Sequence, residues 1–336
     1  GHGTHVTGSL AGSGFRSGGT FKGMAYNATI TFQAVEQYTE LNPGCTTYSN
    51  GFFLTGIPVD AGELLDDAWN MGVRVHNNSW GSPAGGAYYE NASNYDQRIF
   101  QYQDLFVTAA AGNYGRDGSP SVTGDEDGYV DLDSLSSLGS AKNVLSVGAS
   151  DSERLTGTYG AYLWRYFIDQ TYKVSVFPKD PTANDLVPDN RLEMAAFSSR
   201  GPTNDGRIKP DVVAPGTNII SVNAQHAPGL GWGEYNQYYM YYGGTSMAAP
   251  LVAGAAALVR DYYIDKLLVA SPSAALIKAS LINTAVDITG YGNPLYEGGQ
   301  PIPNMHEGWG RINVGAATAI GTGEFVDART GLGTGE

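Results

Sequence analysis

Ser246 stands in "YYGGTSMAAPLVAGAAALV", between a glycine turn and an apolar stretch in which Met247, Leu251, Val252, Ala255, Leu258 and Val259 recur at helical spacing. The serine therefore lies at the start of a helix, where unpaired N–H groups and the positive end of the dipole favour negative charge. A serine so placed either caps the helix or acts as a nucleophile whose developing charge is stabilised on the spot. Serine is a weak nucleophile at neutral pH, so attack needs a base that takes its proton and returns it to the leaving group. An imidazole, with a pKa of about 6.5, suits both transfers. Histidines lie at both ends of the chain: His2 and His5 in "GHGTHVTG", and His306 in "PNMHEGWG". Asn113, in "AAAGNYG", follows an apolar run and can donate to a tetrahedral oxyanion, although Asn-Tyr-Gly is also an ordinary turn.

Two chain orders are open to such chemistry. An α/β-hydrolase runs Ser, acid, His, and Ser246, Asp287 and His306 satisfy that order. Its nucleophile turn is absent, because "GTSMA" has alanine where a second glycine is required and a polar, tyrosine-rich stretch leads into it. The other order uses His2, Asn113 and Ser246, and here the chain resembles the subtilase family of serine proteases. "GHGTHVTG" is similar to the family's histidine motif, "AAAGNYG" to its oxyanion segment and "GGTSMAAPLVAG" to its serine motif. "FSSRGPTNDGRIKPDVVAPG" (197–216) and "EGWGRINVGAA" (307–317) match its flanking segments in the same order.

The resemblance implies His2 as base, Ser246 as nucleophile and Asn113 as oxyanion donor, with His5 supporting the site without doing chemistry. It implies polypeptide substrates, whose backbone pairs with Ser79, Trp80 and Gly81 as an added strand. Ala110, Ala111, Gly112 and Tyr114 would wall the pocket for the residue before the cut, with Phe52 and Phe53 at its far edge. Small, uncharged walls suit apolar or aromatic side chains. Catalysis would need no cofactor, an inhibitory pro-segment is an expected partner, and the nearest likeness is to secreted prokaryotic subtilases with a β-rich domain after the protease.

In this family the order is Asp, His, Ser, yet no Asp or Glu precedes His2. The expectation is that an aspartate-bearing strand lies upstream, and that without it turnover falls by about 3 × 10⁴ and two inner strands lose a neighbour. A catalytically silent adhesion module, using aromatic insertions such as 155–173 for contact, is the alternative reading. The acidic stretch "DEDGYVDLD" adds a metal question: Asp125, Asp127, Asp131 and Asp133 alternate around Gly128 as calcium-binding loops do, without the first Asp and last Glu of an EF-hand.

The elements that must position these groups follow from period. Residues 28–35, 73–80, 105–112, 143–149 and 218–222 read as strands; 61–72, 245–262 and a stretch with Ser271 as N-cap and Pro272 at its first position read as helices. Alternation of the two predicts an α/β fold: a three-layer subtilisin-like arrangement with a mostly parallel sheet flanked by helices. Residues 1–320 are assigned to the catalytic domain, and the Gly-rich 321–336 to a linker or the start of another domain. Residues 36–53, 124–134 and 155–191 read as loops or insertions. With 336 residues, 42% hydrophobic, the chain can bury a large core; its 46 glycines imply many tight turns. A formal charge of −14 argues against nucleic acid as partner, and no apolar run reaches membrane-spanning length. A lone Cys45 excludes an internal disulfide.

Overall fold

The computed structural model describes the chain apart from residues 43, 45–48, 117–126, 169–173, 226–230, 293–297, 322–324 and 330–336. Its elements begin with α1 (His2–Ala11), β1 (Gln37–Thr39), β2 (Gly51–Phe53), α2 (Glu63–Asn70), β3 (Val75–Asn78), α3 (Glu90–Gln101), β4 (Phe106–Ala110) and β5 (Leu145–Ser150). They continue with β6 (Val212–Pro215), β7 (Ile219–Val222), β8 (Glu234–Asn236), β9 (Tyr239–Tyr242), α4 (Thr245–Asp265), α5 (Ala274–Asn283) and α6 (Val314–Ala317).

β3, β4, β5 and β6 form one parallel sheet in that order, with Val75 opposite Phe106, Thr108 opposite Leu145 and Val147 opposite Val212. Successive side chains of a strand face opposite ways, and β4 divides accordingly. Phe106 and Ala110 join a core built with Ala248, Val252 and Ala255 of α4 and Ile277 of α5. Val107 and Ala109 join another, built with Leu65 of α2 and Ala92, Tyr95 and Ile99 of α3. Helices thus cover both faces, giving three layers. α3 has no counterpart among the sequence expectations; its buried Ala92, Tyr95, Asp96 and Ile99 do carry the helical spacing, but polar residues between them dilute it.

Three expectations are corrected. Residues 28–35 form no strand: Ile30 and Phe32 are exposed and no described neighbour pairs with their backbone as a ladder. Side chains hold the segment instead, Gln33 donating to Leu64 O at 3.0 Å and meeting His76 Nε2 at 2.8 Å. Residues 218–222 form β7 but leave the parallel sheet, pairing antiparallel with β9. The cap of α5 is Ser273, whose hydroxyl accepts from Leu276 N at 3.0 Å, while Ser271 donates to Asp104. The aromatic insertion also turns inward: Trp164 and Phe177 are 1% and 2% exposed and pack with Phe167 and Phe197.

α1 packs on α4 and on β7. Contact with β7 is close at Gly8, where a Cβ would fall 2.4 Å from Ser221 Oγ. Ser221 Oγ donates to His5 O at 2.8 Å, and His5 Nε2 meets Ile219 O at 3.1 Å. Past residue 320, Phe325 stacks edge-on against Tyr263 and Asp327 accepts from Ser273 N. No described helix is long and apolar enough to cross a membrane.

Candidate active site

α4 begins at Thr245, so Ser246 occupies its first turn, half-buried. The turn before it depends on Gly244, whose φ of 142° is a conformation that side-chain-bearing residues rarely adopt. β4 ends at Ala110, and Asn113 follows two residues after the buried Ala111. Asn113 Oδ1 accepts from Thr245 N at 2.9 Å and from Thr245 Oγ1 at 3.0 Å, and Thr245 Oγ1 accepts in turn from Gly112 N at 3.2 Å. With its oxygen so engaged, the carboxamide has only its Nδ2 to offer. A Cβ on Gly244 would lie 3.3 Å from that Nδ2 and 3.7 Å from Ser246 N. Asn113 Oδ1, already engaged by Thr245, lies 3.6 Å from the same point, so the hollow left by the missing methyl is bordered by two nitrogens that can donate and one occupied acceptor.

On the opposite side runs the segment after β3. Ser79 Oγ donates to Ser246 O at 2.9 Å, and Ser246 Oγ donates to Ser79 O at 3.2 Å. The Ser246 hydroxyl proton therefore rests on a backbone carbonyl here, not on an imidazole. Trp80 is half-buried and meets Tyr95 edge-on at 6.4 Å, which anchors the segment to the α2–α3 core. Tyr114 Oη reaches Gly81 O at 3.5 Å, the limit of a hydrogen bond, so the two expected pocket walls touch through this tyrosine. Ala110, Ala111 and Gly112 are buried behind it. Phe52 lies on the β1–β2 hairpin with its ring against Tyr38, 68% exposed.

His2 is the first residue of α1 and Ser246 the second of α4, and the two helices pack together. Its ring meets Tyr242, four residues before Ser246, edge-on at 5.7 Å. Burial holds its pKa below the ordinary 6.5, against the upward pull of the Glu36 carboxylate. Glu36 is the residue that sequence reasoning missed; nothing in the chain order signals it, because its nearness to His2 arises from the fold. His5, fully buried, is pushed down to about 4 by burial. His306 lies flat on Tyr291 at 4.8 Å in a buried network with Glu307, which leaves the hydrolase order of Ser246, Asp287 and His306 without a fold to support it.

Of the acidic stretch, Asp125 lies outside the described residues. Asp127 Oδ1 accepts from Tyr129 N, Asp131 is buried, and Asp133 adopts φ 54°.

The family model described as the Subtilase family matches residues 1–310. Among similar proteins, the Serine protease/ABC transporter B family protein tagD of Dictyostelium discoideum is 29% identical over 86% of this chain and 18% of its own length. Serine protease AprX of Bacillus subtilis is 27% identical over 77% of this chain and 48% of its own. The chain spans about a fifth of the length of the first relatives it matches. Among solved structures, Sphericase superposes with a TM-score of 0.55 at 21% identity, covering 94% of this chain and 77% of that one. The fold is subtilisin-like, and the chain belongs to the subtilase family of serine-type peptidases.

Proposed function

We propose that the domain is a serine endopeptidase in which Ser246 attacks, His2 carries the proton, and Asn113 Nδ2 with Ser246 N–H receives the oxyanion. The observation that carries this reading is the Asn113 carboxamide, its oxygen held by Thr245 and its amide beside the Gly244 hollow next to the nucleophile. In the reaction the Ser246 hydroxyl leaves Ser79 O and gives its proton to the His2 ring as Oγ bonds to the substrate carbonyl carbon. The carbonyl oxygen enters the hollow; the imidazolium then protonates the departing amine, and water repeats the sequence on the acyl ester. Substrate backbone lies along Ser79, Trp80 and Gly81, where Ser79 O, once freed, accepts a substrate N–H. The buried Ala110, Ala111 and Gly112 with Tyr114 favour an apolar or aromatic residue before the cut.

An aspartate that orients His2 belongs, in this reading, to a segment outside these 336 residues. Support comes from β3, which is the sheet's edge strand, and from residues 28–35, whose Ile30 and Phe32 are exposed and whose backbone joins no ladder among the described residues. The same reading expects an extracellular protein with an inhibitory pro-segment. A fluorophosphonate probe tests it on protein carrying its native flanking sequence: labelling that vanishes in Ser246→Ala, together with hydrolysis of a protein substrate, is expected. Unchanged proteolysis by Ser246→Ala, or failure of the wild type to label, would overturn it, the latter favouring the silent adhesion module.

A further inference from the structure

We propose that Asp151, Asp185, Asp189 and Glu193 form a calcium site that fastens the 155–193 insertion to the end of the central sheet. One carboxylate oxygen from each lies within 4.8 Å of all the others. Oxygens bound to one Ca²⁺ at about 2.4 Å can stand no further apart than about 4.8 Å, whereas Mg²⁺, at about 2.1 Å, requires a tighter set. The four oxygens fall within that limit, and a set made wholly of carboxylate oxygens is of the kind calcium prefers.

The second observation is Asp151 itself. It follows directly on β5, is 0% exposed, and neither of its carboxylate oxygens has a hydrogen-bond partner. A buried carboxylate without hydrogen bonds is strongly unfavourable unless it is neutralised by a proton, a cationic side chain or a metal. No described Lys or Arg forms an ion pair with Asp151, Asp185 or Asp189. Burial, then the Asp185, Glu193 and Asp189 charges, push the Asp151 pKa well above the usual carboxylate range; the buried Arg200 opposes them only weakly. Asp185 is pushed up to about 8 by burial and the same neighbours. A hard dication relieves this crowding with the oxygen ligands it prefers.

The backbone holds these groups in place. Asp151 N donates to Glu193 O at 2.8 Å, and Ser150 bridges Met194, so residues 151 and 193 sit on paired extended segments. Asp185 N donates to Thr182 O, and Asp185 O accepts from Trp164 N, both at 3.1 Å. Asn190 Nδ2 donates to Glu193 Oε1 at 2.5 Å, which fixes the rotamer of that carboxylate. A cleft of about 340 Å³, lined by Trp164, Thr182, Asp185 and Glu193, gives an approach to the cluster and room for the waters that complete a calcium shell.

Terbium, which takes calcium sites and luminesces when excited through a nearby indole, is the probe, since Trp164 lines the same cleft. Protein stripped with chelator should show indole-sensitised terbium emission that calcium displaces and equimolar magnesium does not. Calcium should also raise its thermal midpoint. Asp185→Asn with Glu193→Gln should weaken binding by about tenfold or more and abolish the thermal shift, since affinity follows ligand charge. Asp189 is exposed, so Asp189→Asn is the variant that keeps its fold if the double variant does not, and it too should weaken binding. The proposal is overturned if stripped protein binds neither ion. It is equally overturned if calcium's effect survives both sets of substitutions and disappears instead in Asp127→Ala.

Discussion

On the Ser246 side of the candidate site, contacts within the chain hold each group: Asn113 by Thr245, Thr245 by Gly112, and Ser79 by reciprocal bonds with Ser246. On the His2 side the ring meets the edge of Tyr242 and the field of Glu36. Its helix is placed through His5 and Gly8 on β7, and the adjoining residues 28–35 are tied by Gln33 instead of a strand ladder. The contrast teaches that stabilising the oxyanion and orienting the base are separable problems. In the proposed mechanism the first falls to a strand end meeting a helix N-terminus, and the second to a group that reaches the imidazole from outside α1 and α4.

The comparison breaks most visibly at Asn113. If the preorganised donor is the main asset of the Ser246 side, Asn113→Ala should lower kcat by about 10²–10³ with little change in KM, because the bond strengthens only as the oxyanion forms. Steady-state kinetics on a peptide substrate decide it. An equal rise in KM at constant kcat would instead mean that the carboxamide binds the ground state.

Acid should attack the His2 side through His5. In the unfolded chain an imidazole takes its proton near 6.5, but burial lowers His5 in the folded protein to about 4. Between these values the unfolded state binds more protons, so the stability this residue contributes is complete above 6.5 and is lost as pH falls toward 4. The loss is on the order of 3 kcal/mol. His306, lowered to about 3, acts in the same direction, while the raised carboxyl of Glu307 acts in the opposite one. Urea midpoints of wild type and His5→Gln across this range isolate the term: the difference between them should narrow as pH falls. A constant difference would mean that α1 opens before the global transition.

How much of this was legible in the sequence follows the same division. The β4 segment announced itself because full burial selects a nearly continuous apolar run and α4 because its apolar residues keep helical spacing, and Asn113 and Ser246 sit where those segments meet turns. Residues 28–35 have the composition of a strand, yet a strand exists only when a neighbour accepts its hydrogen bonds, and composition does not carry that condition. β7 had the right residues, but its choice of β9 over the parallel sheet is a tertiary outcome. Glu36, and the meeting of Asp151 with Asp185, Asp189 and Glu193, were illegible because acidic residues scattered along a chain show no period. The adhesion alternative takes the insertion's aromatics as a contact surface, yet Trp164 is core.

The finer tests probe how much each side tolerates. Thr245→Val removes one of the two donors that hold Asn113 Oδ1 and strands Gly112 N, so kcat should fall by about tenfold, near the value of one or two hydrogen bonds. Glu36→Gln should do less, and do it only through charge. The carboxylate is exposed and raises the His2 pKa, so its removal should move the acid limb of the kcat/KM profile to lower pH. That shift should shrink as salt screens the interaction, whereas an effect of altered packing would persist at high ionic strength. If the limb does not move even at low salt, Glu36 has no electrostatic hold on His2, and its field is not what tunes that imidazole.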